Sequence, residues 1–278
     1  MQKTHILGNK QVQYVFLDSG VGGLPYLQTL LEVQPDSSAV YVADTKHFPY
    51  GKKTKDEVQQ YSYEIVQEIV DKLSPSIIII ACNTITVCAL EHLRASFSIP
   101  FVGTVPAIKT AAQLTQTKNI ALIGTKRTVE DEYIRNMKKE VAQGCSIFPS
   151  DEGELVKEIE EGLAFATLEA QVEAVLPIVR HFESLHCDAL VLGCTHFLHL
   201  RSAFIQAGKM CSPQISIADS LLGVVKQAMK VSPYIKNNTC ASCRAFYASA
   251  IQYNKDEKRY RMYAEHAGLT FLQDLASL

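Results

Sequence analysis

Two short segments of this 278-residue chain carry cysteines in matching surroundings: "SPSIIIIACNT", ending at Thr84, and "CDALVLGCTH", ending at His196. In each, an apolar run leads to one small residue, then a cysteine, then a polar, hydrogen-bonding pair. A cysteine where a strand opens into a helix has its thiolate stabilised by the helix N-terminus. One such cysteine suggests a nucleophile, but two from opposite walls of one cleft suit a different chemistry. A thiolate removes a proton from one face of a carbon centre while a thiol delivers one to the other face. That exchange inverts the centre and needs no cofactor. Other strand ends offer the hydrogen-bonding groups such a site requires: Ser19, Asn83, Thr84, Thr125, Thr128 and Thr195, with backbone N–H groups around Tyr50 and Gly51. These donors suit substrate carboxylates and the negative charge that develops beside the abstracted proton. Asp18 and His196 stand where they can orient or tune the thiols.

Such residues must be carried to a common place by strands whose carboxyl ends converge. Strand candidates are "VQYVFL", "AVYVAD", "SIIIIA", "PFVGTV", "NIALIG", "ALVLG" and "QISIAD". Between them lie amphipathic stretches such as "TKDEVQQYSYEIVQEIVDKL" and "LEAQVEAVLPIVRHFESL". This alternation predicts an α/β fold with mostly parallel sheets. The run Ile77–Ile80 lacks a period of two, which suits a strand covered on both faces. Cys82 and Cys194 lie 112 positions apart, and "YVFLDSG" and "IALIGTKRT" repeat at a similar separation. The repeat predicts two pseudo-equivalent lobes, each a mostly parallel sheet flanked by helices. The first covers 1–106 and is completed by a helical tail, 216–278; the second covers 107–215. Ligands of such sheets bind beyond the carboxyl ends of the strands. All the polar motifs sit there, so the active site is expected in the cleft between the lobes.

Bulk properties narrow the class. Lys and Arg total 27 against 29 Asp and Glu, for a net charge of −2, and 47% of residues are hydrophobic. This is an ordinary globular composition with no basic stripe, so neither nucleic acid nor an anionic membrane is expected as a primary partner. The N-terminus has no signal-peptide core and the longest apolar stretch is too short to span a bilayer, so a soluble, cytoplasmic protein is expected. The eight cysteines, Cys82, Cys88, Cys145, Cys187, Cys194, Cys211, Cys240 and Cys243, then read as thiols rather than a disulfide framework.

Taken together, "FLDSGVGGL", "VADTKHFPYGKKT", "IIACNTITV", "FVGTVPAIKTA", "IGTKRTVEDEY" and "LVLGCTHF" resemble the glutamate racemases of the cofactor-independent aspartate/glutamate racemase superfamily. The resemblance runs from about Phe16 to about Phe197. It implies that Cys82 and Cys194 are the acid/base pair, that Asp18 and His196 assist them, and that Ser19, Tyr50, Gly51, Asn83, Thr84, Thr195 and His196 contact glutamate. It also implies a cytoplasmic homodimer that works without pyridoxal phosphate and interconverts L- and D-glutamate for peptidoglycan, and so for the cell wall. Three departures stand out: "CTHFLHL" replaces the common "CTHYP", "FPSDEGELVKEIEEG" replaces a "CP" leading to "LVEEG", and the tail carries "CASC". The second leaves open whether Glu160 holds the family's auxiliary acidic role.

Competing readings attach to several of these residues. Cys240 and Cys243 of "CASC" suit a thiol-redox protein or half a zinc site, but no second C-x-x-C accompanies them. His186, Cys187, Cys194, His196 and His199 tempt a metal assignment, yet a strand separates them and their spacing fits no common zinc pattern. No metal is expected. Asp44 and His47 lie in a polar loop that reads as a positioning element more than as catalytic groups. An aspartate or broad-specificity amino-acid racemase is the nearest alternative activity.

Overall fold

The computed structural model describes residues 12–232, 243–249 and 255–275. In chain order the elements are β1 (Tyr14–Asp18), α1 (Leu24–Val33), β2 (Ala39–Ala43), α2 (Lys55–Leu73), β3 (Ile77–Ile80), α3 (Asn83–Ser96) and β4 (Phe101–Gly103). Next come α4 (Ile108–Leu114), β5 (Asn119–Gly124), α5 (Lys126–Glu130), α6 (Glu132–Val141), β6 (Ser146–Asp151), α7 (Gly153–Glu160), α8 (Leu168–Ser184), β7 (Ala189–Leu192), α9 (Arg201–Lys209) and β8 (Ser216–Ala218). The chain continues with α10 (Leu221–Val231), β9 (Arg244–Ala248), α11 (Lys255–His266) and β10 (Thr270–Leu272).

These elements form an α/β protein of two compact units. One draws on residues up to Thr104 and from Leu221 onward; the other spans Val105–Ser220. Among the described residues the first holds a six-stranded sheet in the order β10-β9-β2-β1-β3-β4, the second a four-stranded sheet in the order β6-β5-β7-β8, and every pairing is parallel. The two sheets share a motif. The strand that opens each sheet in sequence, β1 or β5, lies between the second strand and the third, and a fourth flanks the third. Each cysteine follows that third strand, β3 or β7.

In the first unit Val15, Leu17, Val40, Val42, Ile78 and Ile80 join Val58, Val66 and Ile69 of α2 and Ile85 and Leu93 of α3 in one buried cluster. Helices α1 and α10 pack against each other, and they meet β2 and β3 respectively. Ile77–Ile80 are all fully buried, which explains an apolar run with no polar face. In the second unit Ile120, Leu122, Ala189 and Val191 pack with Ile108 and Ala111 of α4 and Ile134 of α6. Helix α2 begins where its sequence dictates. Glu57 N donates to Thr54 Oγ1 at 3.3 Å while Thr54 N donates to Glu57 Oε2 at 2.8 Å, a reciprocal cap.

All seven strand candidates are strands, but among the described residues three further strands lie outside them. β6 contains Pro149, which argues against a strand in sequence yet is tolerated at this sheet edge. The tail is not purely helical: β9 adds to β2, and β10 adds to β9. They are five and three residues long and lie at one edge of the six-stranded sheet.

Candidate functional site

Cys82 and Cys194 occupy the same local geometry. Cys82 stands between β3 and α3 with φ −140° and ψ 120°. Cys194 stands between β7 and a 3₁₀ turn, Thr195–Leu200, with φ −135° and ψ 139°. Both are nearly buried, at 5% and 7% exposure. The small residue before each has a packing cause. A Cβ on Gly193 would come within 2.6 Å of the Ile123 carbonyl oxygen, and the Ala81 methyl already lies 2.6 Å from where a Cβ on Gly23 would sit. A side chain at position 193 would therefore collide with the backbone of β5, and one at position 23 with Ala81. The helix behind the two thiols differs: fourteen residues of α helix follow Cys82, but only six of 3₁₀ helix follow Cys194 before α9 begins. The helix-dipole expectation therefore holds better for Cys82, and Cys194 draws its support from side chains.

In the first unit, Asp18 ends β1 fully buried. Its Oδ1 accepts from Ser19 N at 2.6 Å and Ser19 Oγ at 3.3 Å, and Ser19 Oγ lies 3.9 Å from Cys82 Sγ. Asp18, Ser19 and Cys82 thus form one polar chain. Tyr41 of β2 braces the turn that follows: its hydroxyl donates to the Gly20 carbonyl at 2.9 Å and accepts from Gly23 N at 2.9 Å. Asn83 and Thr84 are buried in the first turn of α3. Tyr50 and Gly51 form a 3₁₀ turn, Tyr50–Lys52, beyond β2. Burial pushes the Tyr50 phenol far above the usual tyrosine range, and the Asp44 charge, the hydrogen bond to Asp44 and the charge of Cys82 add to it against an opposing bond from Ser62.

In the second unit, His196 Nδ1 lies 3.6 Å from Cys194 Sγ, and His196 Nε2 lies 2.8 Å from Glu160 Oε1. Glu160 is the last residue of α7, and both side chains are 3% exposed. Burial works against a charge on the imidazole. The hydrogen bonds from Cys194 and Glu160, reinforced by their charges, outweigh it and raise His196 well above the ordinary histidine value. Glu160, left open by sequence, thus stands in direct contact with a residue flanking Cys194. Thr195 is buried beside them. Thr125 stands just before α5 and its Oγ1 lies 3.1 Å from Thr128 Oγ1, so these two hydroxyls bond to each other at the end of β5.

The other chemical candidates disperse. Cys243 precedes β9, and its carbonyl accepts from Ala39 N at the start of β2, so it lies at the amino end of the parallel strands and Cys82 at the carboxyl end. Cys240 lies outside the described residues. Cys187 sits just before β7, with burial and then the Asp188 charge pushing its thiol up to about 11. Among the described residues no group of three or more His, Cys, Asp or Glu is arranged to hold a metal ion, and no helix is long and apolar enough to cross a membrane.

A profile of the Asp/Glu/hydantoin racemase family matches residues 26–222. The chain belongs to that family. It is 38% identical to glutamate racemase of Treponema pallidum (strain Nichols) over 94% of its own length and 95% of that protein. It is 33% identical to glutamate racemase of Pasteurella multocida (strain Pm70), covering 88% and 92% of the two chains. The fold is similar to that of Escherichia coli glutamate racemase crystallised with L-glutamate and the activator UDP-MurNAc-Ala. The TM-score is 0.81 at 26% identity, over 94% of this chain and 97% of that one. In this chain Cys82 and Cys194 each sit at a strand end beside buried polar side chains.

Proposed function

We propose that this racemase-family chain interconverts L- and D-glutamate, with Cys82 and Cys194 as the two acid/base thiols. The observation that carries the reading is the pair of strand-end cysteines in one backbone conformation, each tied to its own polar chain. The kinship to glutamate racemases over nearly the whole chain supports glutamate as the substrate.

In the L-to-D direction Cys194 takes the Cα proton and the bond electrons stay on carbon. Cys82 then delivers its thiol proton to the other face, so one S–H forms as the other breaks. The reverse direction exchanges the roles. His196 donates from Nδ1 toward the Cys194 sulfur, where negative charge sits whenever that cysteine is the base, and Glu160 holds the imidazole from the far side. Ser19 links Asp18 to Cys82 in the same manner. The backbone at Tyr50 and Gly51, with Asn83, Thr84, Thr125, Thr128 and Thr195, supplies donors for the glutamate carboxylates and the developing carbanion. No step calls for pyridoxal phosphate. Action in the cytoplasm, a homodimeric state and supply of D-glutamate to peptidoglycan belong to the same proposal and rest on the resemblance to glutamate racemases.

The test is purified protein incubated with L-glutamate in deuterium oxide without added cofactor. Circular dichroism should fall toward zero, and deuterium should appear at Cα of the D-glutamate formed. A stable dichroism signal, or product that keeps its original hydrogen, refutes the two-thiol reading.

A further inference from the structure

We propose that Asp44 is a positioning residue that locks the Tyr50–Gly51 turn to the rest of its unit, with Ser249 of the C-terminal segment as its anchor. The inference rests on the reading of Tyr50 and Gly51 as glutamate-contacting backbone. Asp44 follows β2 and is 1% exposed, although it carries a carboxylate. A buried carboxylate is costly unless its oxygens are fully hydrogen-bonded. Here the partners come from two segments far apart in sequence. Oδ2 accepts from Tyr50 OH at 2.5 Å and from His47 Nδ1 at 2.8 Å, and Oδ1 accepts from Ser249 Oγ at 2.7 Å. The Asp44 amide adds a fourth tie, donating to the Asp18 carbonyl at 2.8 Å.

Ser249 is more than one ligand of this carboxylate. Its N–H donates to the Ala43 carbonyl at 2.9 Å, its hydroxyl accepts from Lys46 N at 3.1 Å, and its carbonyl accepts from Thr45 Oγ1. The loop between β2 and the turn is therefore tied down at Thr45 and Lys46 by Ser249, and at His47 and Tyr50 by Asp44. The His47 ring also stacks on Tyr61 of α2 at 3.8 Å between centroids and 5° between planes. The phenol of Tyr50 is thus engaged with Asp44, so the contacts proposed for this turn fall to its backbone. Through Asp44, a residue 205 positions further along the chain than that aspartate holds the turn in place.

Contacts from a prepositioned turn to a substrate carboxylate act on bound substrate and transition state alike, so their loss appears in KM rather than kcat. Ser249→Ala should raise KM for both glutamate enantiomers about threefold, and Asp44→Asn about tenfold, with kcat within about twofold of wild type. The double variant should stay near Asp44→Asn alone, because both changes loosen one network. If Asp44→Asn does not fold, Ser249→Ala, which alters a single hydroxyl, decides the matter. A folded Ser249→Ala protein with wild-type KM, or one whose kcat falls at constant KM, overturns the inference while leaving the racemase reading intact. A wild-type protein inert toward glutamate overturns both.

Discussion

Replacement of Glu160 tests the least sequence-legible part of the site. Its carboxylate lies 2.8 Å from His196 Nε2 with both groups about 3% exposed, so solvent screens the pair little. A hydrogen bond to a charged group contributes about 1.5–3 kcal/mol, roughly twice a neutral one. Glu160→Gln keeps an oxygen that accepts the same N–H and forfeits the charge, about half of that sum. The expected loss in kcat/KM is then about 3- to 15-fold. Glu160→Ala forfeits the whole bond and should cost about 10- to 150-fold. Initial rates from each pure enantiomer, followed by circular dichroism, measure both. The variants also carry a stability signature. Because the folded protein raises His196 above its ordinary value of about 6.5, the ion pair's stabilisation is complete below that value and is lost as pH climbs through the raised one. The thermal deficit of Glu160→Gln should therefore be largest near pH 6 and shrink at alkaline pH. If Glu160→Ala melts at a lower temperature yet retains kcat/KM within about twofold, the pair is structural and its role in catalysis is refuted.

Other outcomes follow from the same geometry. Cys82→Ala and Cys194→Ala should each abolish racemisation, whereas Cys88→Ala and Cys211→Ala, measured in the same dichroism assay, should stay active. His196→Asn should lower kcat more than it raises KM. Activity should survive dialysis against EDTA, and the protein should show no pyridoxal absorbance. Glutamate should exceed aspartate in kcat/KM by at least about tenfold, the lower edge of what one methylene secures; equal turnover of aspartate would point to a broad-specificity racemase. Asp188 accepts from Thr115 Oγ1 at 2.5 Å, Gln116 N at 2.7 Å, and Thr117 N and Oγ1 at 2.9 and 3.0 Å. Burial raises its pKa, but these bonds outweigh it and leave the value lowered. Its stabilisation is therefore present above the unfolded value near 3.9 and is lost as pH falls through the folded one. Asp188→Ala should cost about 1–3 kcal/mol at neutral pH, read by denaturant melts.

What could be read from the sequence tracks how local each determinant is. Ile77–Ile80, Val40 and Val42 announce their strands because β-branched residues gather where both sheet faces are covered. Thr54 and Glu57 mark the start of α2 within four positions. The cysteine motifs are equally local, each a strand end, a small residue and a thiol. The tail strand β9 gains its identity from pairing with β2, more than 200 positions earlier in the chain, and β10 gains its own only by pairing with β9. Glu160 meets His196 across 36 positions, and nothing in "KEIEEG" says which acid turns inward. Asp44 was visible as part of a polar loop, but its anchor, Ser249, was not, since that bond exists only once β9 lies beside β2.

The unlike supports of the two thiols bear on how such an enzyme can work in both directions. Cys82 is linked through Ser19 to a buried carboxylate, and Cys194 to an imidazole whose pKa is raised by Cys194 and Glu160 against the cost of burial. The two enantiomers of glutamate have equal free energies in solution. Whatever the protein does, kcat/KM must then be the same from either side, and a substitution at Asp18 or at Glu160 must lower both values by one factor. The asymmetry of the supports can appear only in kcat and KM taken separately, as one enantiomer binding more tightly and turning over more slowly than the other. Near-symmetric strand ends with dissimilar surroundings are thus compatible with a reversible two-base reaction. Selection acts on the sum of binding and barrier for each direction, and thermodynamics ties those two sums together.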